Sequence, residues 1–235
     1  GWKDSEDSVF HADGRFPPGP IALVEVQGYA YAAFRAMAEM SMRRHDPEAA
    51  NHWEARAERL RDMVEDKFWM PDKGFYGIAI DGEGALCAVR SSNPGHLLYC
   101  GLPSVERANL VAERLMTPAF HTGWGLRTLA MGEARYNPMS YHNGSVWPHD
   151  TAICAAGFAQ YGNKDGATHW LDEMFRAASH FGMRMPELLE FMVSAAIGMA
   201  PFLGKAGVPG FTSILALYPQ QLQSSLVPLS SFVMG

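Results

Sequence analysis

Three segments of the chain combine the side chains that binding and cleaving a sugar require. Residues 1–8 (GWKDSEDS), 141–150 (YHNGSVWPHD) and 184–187 (RMPE) carry carboxylates, aromatic rings, hydroxyls or amides, and each stands shortly before an apolar stretch. Flat rings cover the apolar faces of a sugar, polar groups hold its hydroxyls, and two carboxyl groups perform the proton transfers of glycoside hydrolysis. This mixture is typical of a carbohydrate site.

The first segment supplies two candidates for a general acid. Asp4 and Asp7 lie in an acidic cluster next to Trp2, and a partly apolar site would raise the pKa of either one into the range an acid needs. The alternative is a solvated loop in which Asp4 and Ser8 act as turn or cap residues.

The third segment supplies a candidate base. Glu187 directly follows Pro186 and precedes an apolar run. It is suited to activating water, and the alternative is a first-turn glutamate that complements a helix dipole. A partner carboxylate at the same rim, such as Asp7, favours the role of base.

Glu25 is the lone carboxylate in an otherwise uncharged stretch, with Gln27 nearby. An unpaired buried carboxylate is costly, so Glu25 is expected either to pair with a Lys or Arg or to face a polar cavity. The cavity alternative fits the binding of sugar hydroxyls.

A metal site at His142, His149 and Asp150 is not predicted. The spacing does not match HExxH, no cysteine cooperates with these residues in a metal-binding motif, and Asp150 is placed to cap the following helix. Three aromatic residues are candidate sugar platforms, with ordinary packing as the alternative: Trp124, Tyr141 and Trp147.

Composition limits the classes of function. The 235 residues are 48% hydrophobic, enough for one large domain or most of two. The net charge of −6 and the lack of long Lys/Arg runs exclude nucleic acid as a partner. Three scattered cysteines without a CxxC pair predict a reducing, cytoplasmic setting. The longest apolar run, 191–204, is too short to span a bilayer and contains Pro201, so no membrane partner is expected.

Buried and surface helices are predicted to alternate along the chain. Residues 16–34 read as an apolar, buried helix whose first turn begins near Pro20, and Asp46-Pro47 opens an amphipathic one. The pair recurs at 94–102 with 104–116, and at 151–162 with 165–181 before a stop at Gly182. The pattern predicts an all-α, double-layered ring of helical hairpins, because an α-solenoid would show a fixed repeat length.

Residues 75–82 predict a small β-hairpin, with its turn near 81–84, inserted in the helical scaffold.

The arrangement of helices also predicts where the loops lie. If each surface helix returns the chain to the same side, the loops that enter the buried helices converge on one mouth: 2–7, 91–96, 141–150 and 184–187.

Together these strings resemble the bacterial amylo-α-1,6-glucosidase family, which is related to the C-terminal domain of glycogen debranching enzymes. The resemblance covers residues 1–188 through GWKDSEDS with HADG, IALVEVQGY, SNPGHLL, RYNPMSYHNGSVWPHD and MPEL. It implies an (α/α)6 toroid and inverting hydrolysis of α-glucosidic bonds in α-glucans or oligosaccharides. It also implies Asp7 as the acid, with Asp4 as the fallback, Glu187 as the base, and no cofactor.

The resemblance further suggests which residues contact the carbohydrate. Their side chains come from the matching strings or from aromatic positions near them. We expect substrate contacts from Trp2, Lys3, Asp4, Glu25, Gln27, Trp124, His142, Asn143, Trp147 and His149.

The chain departs from the family pattern in two ways. Only three hairpins and the start of a fourth are recognisable, so residues 1–188 are expected to form about half of a six-hairpin ring. The partner needed to complete it is the missing N-terminal part of the same polypeptide, and the fragment alone is expected to be inactive. Residues 189–235 read as a divergent apolar tail, with Lys205 as the only charge after 190.

Two alternative functions remain open at this point. A toroidal glycoside phosphorylase would use phosphate in place of activated water and would need one essential carboxylate. A non-catalytic carbohydrate-binding helical domain would bind maltooligosaccharides without cleaving them.

Overall fold

The computed structural model describes residues 1–189 and the backbone of 226–228, and this part of the chain is mostly helical, as predicted. Its helices are α1 (Val24–Arg43), α2 (Pro47–Lys67), α3 (Asn93–Tyr99), α4 (Val105–Leu115), α5 (Pro148–Gln160) and α6 (Lys164–His180). Successive helices pack as the pairs α1–α2, α3–α4 and α5–α6, and α3 also packs against both α1 and α5. The first helices of the three pairs therefore lie side by side in one layer.

Side-chain caps set the helix boundaries where the sequence predicts them. The Asp46 carboxylate accepts a hydrogen bond from the Ala49 amide at 3.0 Å, and Pro47 occupies the first helical position of α2. The Ser104 hydroxyl accepts one from the Arg107 amide at the start of α4. Gly182 follows α6 with a φ of +63°, which confirms the predicted stop.

Helix α1 differs from its prediction in where it starts and in how much of it is buried. It begins at Val24 rather than near Pro20, because Ala22–Leu23 pairs as a strand with Ala79–Ile80. Nor is it buried all round: several large apolar side chains of α1 are more than a third exposed in the described part of the chain, namely Val26, Tyr29, Met37 and Met40. An apolar helix is buried only where another element covers it.

Short strands surround the helices: β1 (Ala22–Leu23), β2 (Trp69–Met70), β3 (Phe75–Tyr76), β4 (Ala79–Ile80), β5 (Leu86–Cys87), β6 (Arg184–Pro186) and β7 (Leu226–Pro228). The predicted turn is correct, since β4 and β5 form a hairpin whose Asp81 carboxylate accepts the Glu83 and Ala85 amides. The predicted strand pairing is wrong for its first half. Phe75–Tyr76 pairs back onto Trp69–Met70, and β4 also pairs with β1.

Close packing of α3 against α5 fixes the centre of the described structure. A Cβ on Gly95 would lie 2.2 Å from the Cys154 sulfur, and one on Gly157 would lie 2.7 Å from the Tyr99 amide nitrogen. Only glycine allows this approach without displacing the neighbouring helix. The main core fills the space around the contact with fully buried rings and aliphatic side chains, among them Phe75, Leu97, Leu98, Phe120, Phe158 and Trp170.

Most of the predicted tail, 189–235, lies outside the described residues. Strand β7 pairs antiparallel with β6, so residues 226–228 return to the segment that precedes Glu187. Among the described helices, none has both the length and the apolarity to cross a membrane. The apolar run 191–204 lies outside the described residues.

Candidate active site

The predicted convergence of loops is confirmed around Trp2. Its ring centroid lies 4.7 Å from that of His149, 5.4 Å from that of His142 and 5.6 Å from that of Trp147. We call Trp2, His142, Trp147 and His149 the rim cluster. Trp2 also stacks on His96 of α3 at 6.0 Å, so segments far apart in sequence share one aromatic surface beside the N-termini of α3 and α5.

Hydrogen bonds hold residues 1–8 and residues 141–147 in place. The Lys3 ammonium group donates to the Thr128 carbonyl at 2.7 Å. In the second loop the Ser145 hydroxyl and the Trp147 indole N–H both donate to the Tyr141 carbonyl, at 2.7 and 2.8 Å. These bonds fold residues 141–147 into a tight loop that presents the Trp147 ring to Trp2.

Residues 141–143 contact both carboxylates that were predicted to do the chemistry. The Asn143 side-chain amide donates to the Asp7 carboxylate at 3.0 Å and to the Asp7 carbonyl at 3.1 Å. The Tyr141 hydroxyl donates to the Glu187 carboxylate at 3.0 Å. Asp7 is half-buried, whereas Glu187 is exposed. The two carboxylates are thus attached to one short loop at the edge of the rim cluster.

Asp4, the fallback acid, lies in a different environment. Its side chain is 84% exposed, and one of its oxygens lies 3.7 Å from Nε2 of His142. The Nδ1 atom of that histidine lies 2.6 Å from the Ser5 hydroxyl. Asp7 is therefore the better shielded of the two aspartates.

The histidines of the rim cluster are neutral at neutral pH. Burial lowers the pKa of His142, and the nearby Lys3 charge lowers it further. Burial also lowers the pKa of His149. Partial desolvation, with the hydrogen bond to Glu187, raises the pKa of Tyr141. The Tyr141 hydroxyl therefore keeps its proton and remains a donor to Glu187.

A buried polar floor lies beneath the rim cluster. The imidazole Nε2 of His96 lies 2.7 Å from an Asp150 carboxylate oxygen, with both side chains fully buried, and His96 Nδ1 bonds the Tyr29 hydroxyl. Burial works against the Asp150 charge, but the His96 hydrogen bond and nearby cations hold the pKa of Asp150 below its usual value. Burial lowers the pKa of Lys3 to about 8, against the opposing influence of Asp150 and Glu25.

Several polar atoms of this floor have no hydrogen-bond partner among the described residues. They are Trp2 Nε1, both Glu25 carboxylate oxygens, Ser91 Oγ, Asn93 Oδ1 and the second Asp150 oxygen. The Glu25 carboxylate packs against Gly1, where an added Cβ would lie only 2.3 Å from its Oε1. Among the described residues, Glu25 accepts no hydrogen bond and forms no ion pair with Lys or Arg, so its predicted role in binding a sugar hydroxyl stays a prediction.

Two predicted contact residues lie apart from the rim cluster. The Gln27 side-chain amide donates to the Leu23 carbonyl at 3.1 Å, which folds it back onto the start of α1. The Trp124 ring makes an edge contact with His180 and packs in an apolar cluster with Met185. A role for Gln27 or Trp124 in substrate binding stays a prediction.

The predicted capping role of Asp150 is wrong. Helix α5 begins at Pro148, which places Asp150 in the first turn, where its side chain turns inward to His96. Sequence analysis missed this pair, although His96 is the only ionisable side chain between Arg90 and Tyr99. With Cys154 the pair places three ligand atoms close together, but burial raises the pKa of the Cys154 thiol well above its usual value.

Comparison with known proteins identifies relatives for most of this region. A family model described as "Mannosylglycerate hydrolase MGH1-like glycoside hydrolase domain" matches residues 5–185. The expected resemblance is therefore confirmed at the level of glycoside hydrolases, while the amylo-α-1,6-glucosidase family itself is not confirmed.

Solved structures share the fold at low sequence identity. A structure titled "Sialidase" has a TM-score of 0.65 and 19% identity, covering 79% of this chain and 18% of its own. The GH63 mannosylglycerate hydrolase of Thermus thermophilus in complex with glucose has a TM-score of 0.58 and 24% identity, and the match covers 68% of this chain and 40% of that protein. The neutral trehalase of Saccharomyces cerevisiae has a TM-score of 0.60 and 16% identity, and the match covers 74% of this chain and 35% of that protein. The chain spans well under half the length of each of these proteins.

Proposed function

This chain belongs to the mannosylglycerate hydrolase MGH1-like glycoside hydrolase family, and we propose that the polypeptide containing it hydrolyses α-glycosidic bonds with inversion. One observation carries the proposal. Asp7 and Glu187 each accept a hydrogen bond from the same three-residue stretch, 141–143, beside the rim cluster. An inverting glycosidase needs two carboxyl groups at the edge of a sugar site, about 6.5–9.5 Å apart, with room for water between them.

The proposed roles follow from the surroundings of the two groups. Half-buried Asp7 donates its proton to the glycosidic oxygen as the bond to the leaving group breaks. Exposed Glu187 accepts a proton from the water that attacks the anomeric carbon from the opposite face. The Tyr141 hydroxyl supports the second role, because its hydrogen bond holds the Glu187 carboxylate in position beside the rim cluster. The neutral rings of the rim cluster provide flat surfaces for the sugar.

The proposed substrates are α-linked sugars that place one ring above the buried floor. The Glu25 oxygens are enclosed in this structure, so the proposed contact of Glu25 with a sugar hydroxyl requires the residues above it to move aside. Bonds to glucose in α-glucans or oligosaccharides, including α-1,6 branches, remain our specific proposal. Mannosylglycerate and trehalose are the alternative substrates to test, because proteins with similar folds are named for acting on them.

We further propose that residues 1–188 form about half of an (α/α)6 ring, completed by the N-terminal part of the same polypeptide. The exposed apolar stripe of α1 supports this, since Val26, Tyr29, Met37 and Met40 follow one another at helical spacing. A further hairpin packed on this stripe would bury α1 on both sides and continue the row formed by α1, α3 and α5.

The test uses the complete polypeptide that contains this chain. It is incubated with maltose, isomaltose, maltooligosaccharides, trehalose and mannosylglycerate, and proton NMR reads the configuration of the first sugar released. Asp7→Asn and Glu187→Gln are each expected to lower kcat at least about a thousandfold, while the fold is unchanged by circular dichroism. Asp13→Asn, which alters an exposed aspartate paired with Arg15, is the matched control.

Three outcomes would count against the proposal. Unchanged turnover in Asp7→Asn refutes its role as acid, and loss of activity in Asp4→Asn instead transfers the role to Asp4. Retention of configuration at the anomeric carbon refutes the inverting mechanism. Product formation that requires phosphate identifies a phosphorylase.

A further inference from the structure

Outside the rim cluster, two histidines and a glutamate bring their side chains together where α6 meets the loop after α4. His169 and Glu173 lie one turn apart on α6, and His121 comes from the loop. The His169 Nε2 atom lies 3.0 Å from His121 Nε2, and both nitrogens face the same Glu173 oxygen, at 3.3 and 2.5 Å. None of the three belongs to the proposed catalytic machinery.

Hydrogen bonding alone satisfies this arrangement poorly. If both neutral imidazoles carry their proton on Nε2, both can donate to Glu173, but the two N–H groups then face each other across 3.0 Å without an acceptor. If only one Nε2 carries a proton, the lone pair of the other faces the Glu173 oxygen without a donor. A cation bound by both nitrogens and the oxygen removes the conflict, because all three atoms then act as electron-pair donors. The other Glu173 oxygen accepts the Gly125 amide at 2.9 Å, which holds the carboxylate with its first oxygen towards the histidines.

We propose that His121, His169 and Glu173 form a zinc-binding site that joins α6 to the loop following α4. Two imidazole nitrogens and one carboxylate oxygen are a ligand set that suits Zn²⁺, with a fourth position left to water. Tetrahedral ligands at zinc distances lie about 3.3 Å from each other. The His121–Glu173 contact therefore opens by roughly 0.8 Å on binding, which a small rotation of the His121 ring achieves.

Access and charge are compatible with this site. The His121 and His169 side chains are 31% and 38% exposed, so an ion can reach their nitrogens, while Glu173 is 1% exposed and held in place. One cation competes: an Arg176 guanidinium nitrogen lies 4.0 Å from the same Glu173 oxygen. The Arg176 side chain is 63% exposed and can turn towards solvent when zinc binds.

The site is expected to act as a clamp on the fold. It ties the outer helix α6 to the loop that leads into Trp124 and Gly125, and bound zinc stabilises the folded state by mass action. Zinc at about a hundred times its Kd is expected to raise the Tm by about 5 °C or more. Hydrolysis needs none of the three ligands, so removing zinc lowers stability and leaves the reaction mechanism unchanged.

The experiment titrates the full chain, freed of metal by a chelator, with ZnCl2 in a calorimeter and follows the Tm in parallel. We expect one equivalent to bind and Co²⁺ in the same site to give the visible absorption of a tetrahedral complex. His121→Gln and His169→Gln are each expected to weaken that equivalent at least about a hundredfold. His52→Gln, an exposed histidine on α2, is the matched control and binds as the parent does.

Equal zinc affinity in the parent, His121→Gln and His169→Gln would overturn the proposal. The proposal would also be overturned if zinc binding were lost only when His96 is replaced, because that result would assign the ion to the buried floor. Both single variants alter half-exposed side chains, and circular dichroism without metal verifies that they fold. The result is independent of the glycosidase proposal, because zinc binding is measured without any sugar.

Discussion

The buried floor and the hairpin α1–α2 treat charge in opposite ways. In the hairpin, ion pairs lie on the surface: Arg35 bonds Glu54, and Arg61 lies 3.1 Å from Glu58. In the floor, Lys3, Glu25 and Asp150 are buried, and several of their oxygens have no partner among the described residues. Surface pairs contribute little and cost little, whereas buried unpaired groups are costly.

The difference indicates what each region is for. The hairpin has the arrangement expected of a scaffold, because Asp46 caps the start of α2 and the charged side chains are solvated. Unpaired buried groups lower the stability of the floor, and strained or unfavourable groups of this kind are typical of functional sites. If the floor is held together by its own hydrogen bonds and charges, removing one of them lowers stability more than removing a charge from the hairpin.

The largest effect on stability is expected at the centre of the floor. Asp150→Ala leaves the buried His96 nitrogen without its acceptor and removes a counter-charge from Lys3. We expect a loss of about 3 kcal/mol in the free energy of unfolding, measured by urea denaturation. Asp66→Ala, at a carboxylate 69% exposed, is the control and should change little. Similar losses at the two positions would remove the distinction between floor and hairpin.

The second effect is a dependence of stability on pH that comes from the floor. Folded Lys3 releases its proton near pH 8, whereas the unfolded chain keeps it to near pH 10.5. Burial raises the pKa of the cysteine thiols, which lowers the free energy of unfolding as the pH increases. Lys3 acts in the opposite direction: the unfolded state binds more protons at this residue between pH 8 and 10.5, and its own contribution to the free energy of unfolding rises by up to about 3 kcal/mol. Lys3→Met removes this rise. Denaturation at pH 7, 8.5 and 10 measures the slope, and parallel curves for parent and variant would show that Lys3 is not desolvated.

The smallest effects are expected in the hairpin. Asp46→Ala removes the cap of α2 and should cost about 1 kcal/mol of unfolding free energy. Arg35→Ala breaks only an exposed ion pair and should cost about 0.5 kcal/mol or less. Thermal unfolding of both variants checks the order. A larger loss for Arg35→Ala than for Asp46→Ala would show that surface pairing stabilises this hairpin more than its cap does.

Local chemistry made much of this structure predictable. Asp46, Ser104 and Gly182 act through neighbours within a few residues, so their positions in the sequence locate the ends of three helices. The alternation of helix types predicts the convergence of segments 1–8 and 141–150, because it repeats the same change of direction. These features depend on short stretches of chain.

Features that depend on distant partners were missed. Pairing of Ala22–Leu23 with Ala79–Ile80 delays the start of α1, and nothing near Pro20 reveals that contact. The spacing of His169 and Glu173 is visible as one helical turn, yet His121 joins them only through the fold. The inward turn of Asp150 likewise needs His96, which lies 54 positions earlier.

The loop at 141–143 has a consequence for how specificity can change. Its side chains grip Asp7 on one side and Glu187 on the other. If residues 141–143 move as a unit, both hydrogen bonds move with them, and the distance between the two carboxylates is preserved. In the proposed hydrolase, exchanging the residues around this loop would therefore change the shape of the sugar site without separating Asp7 from Glu187.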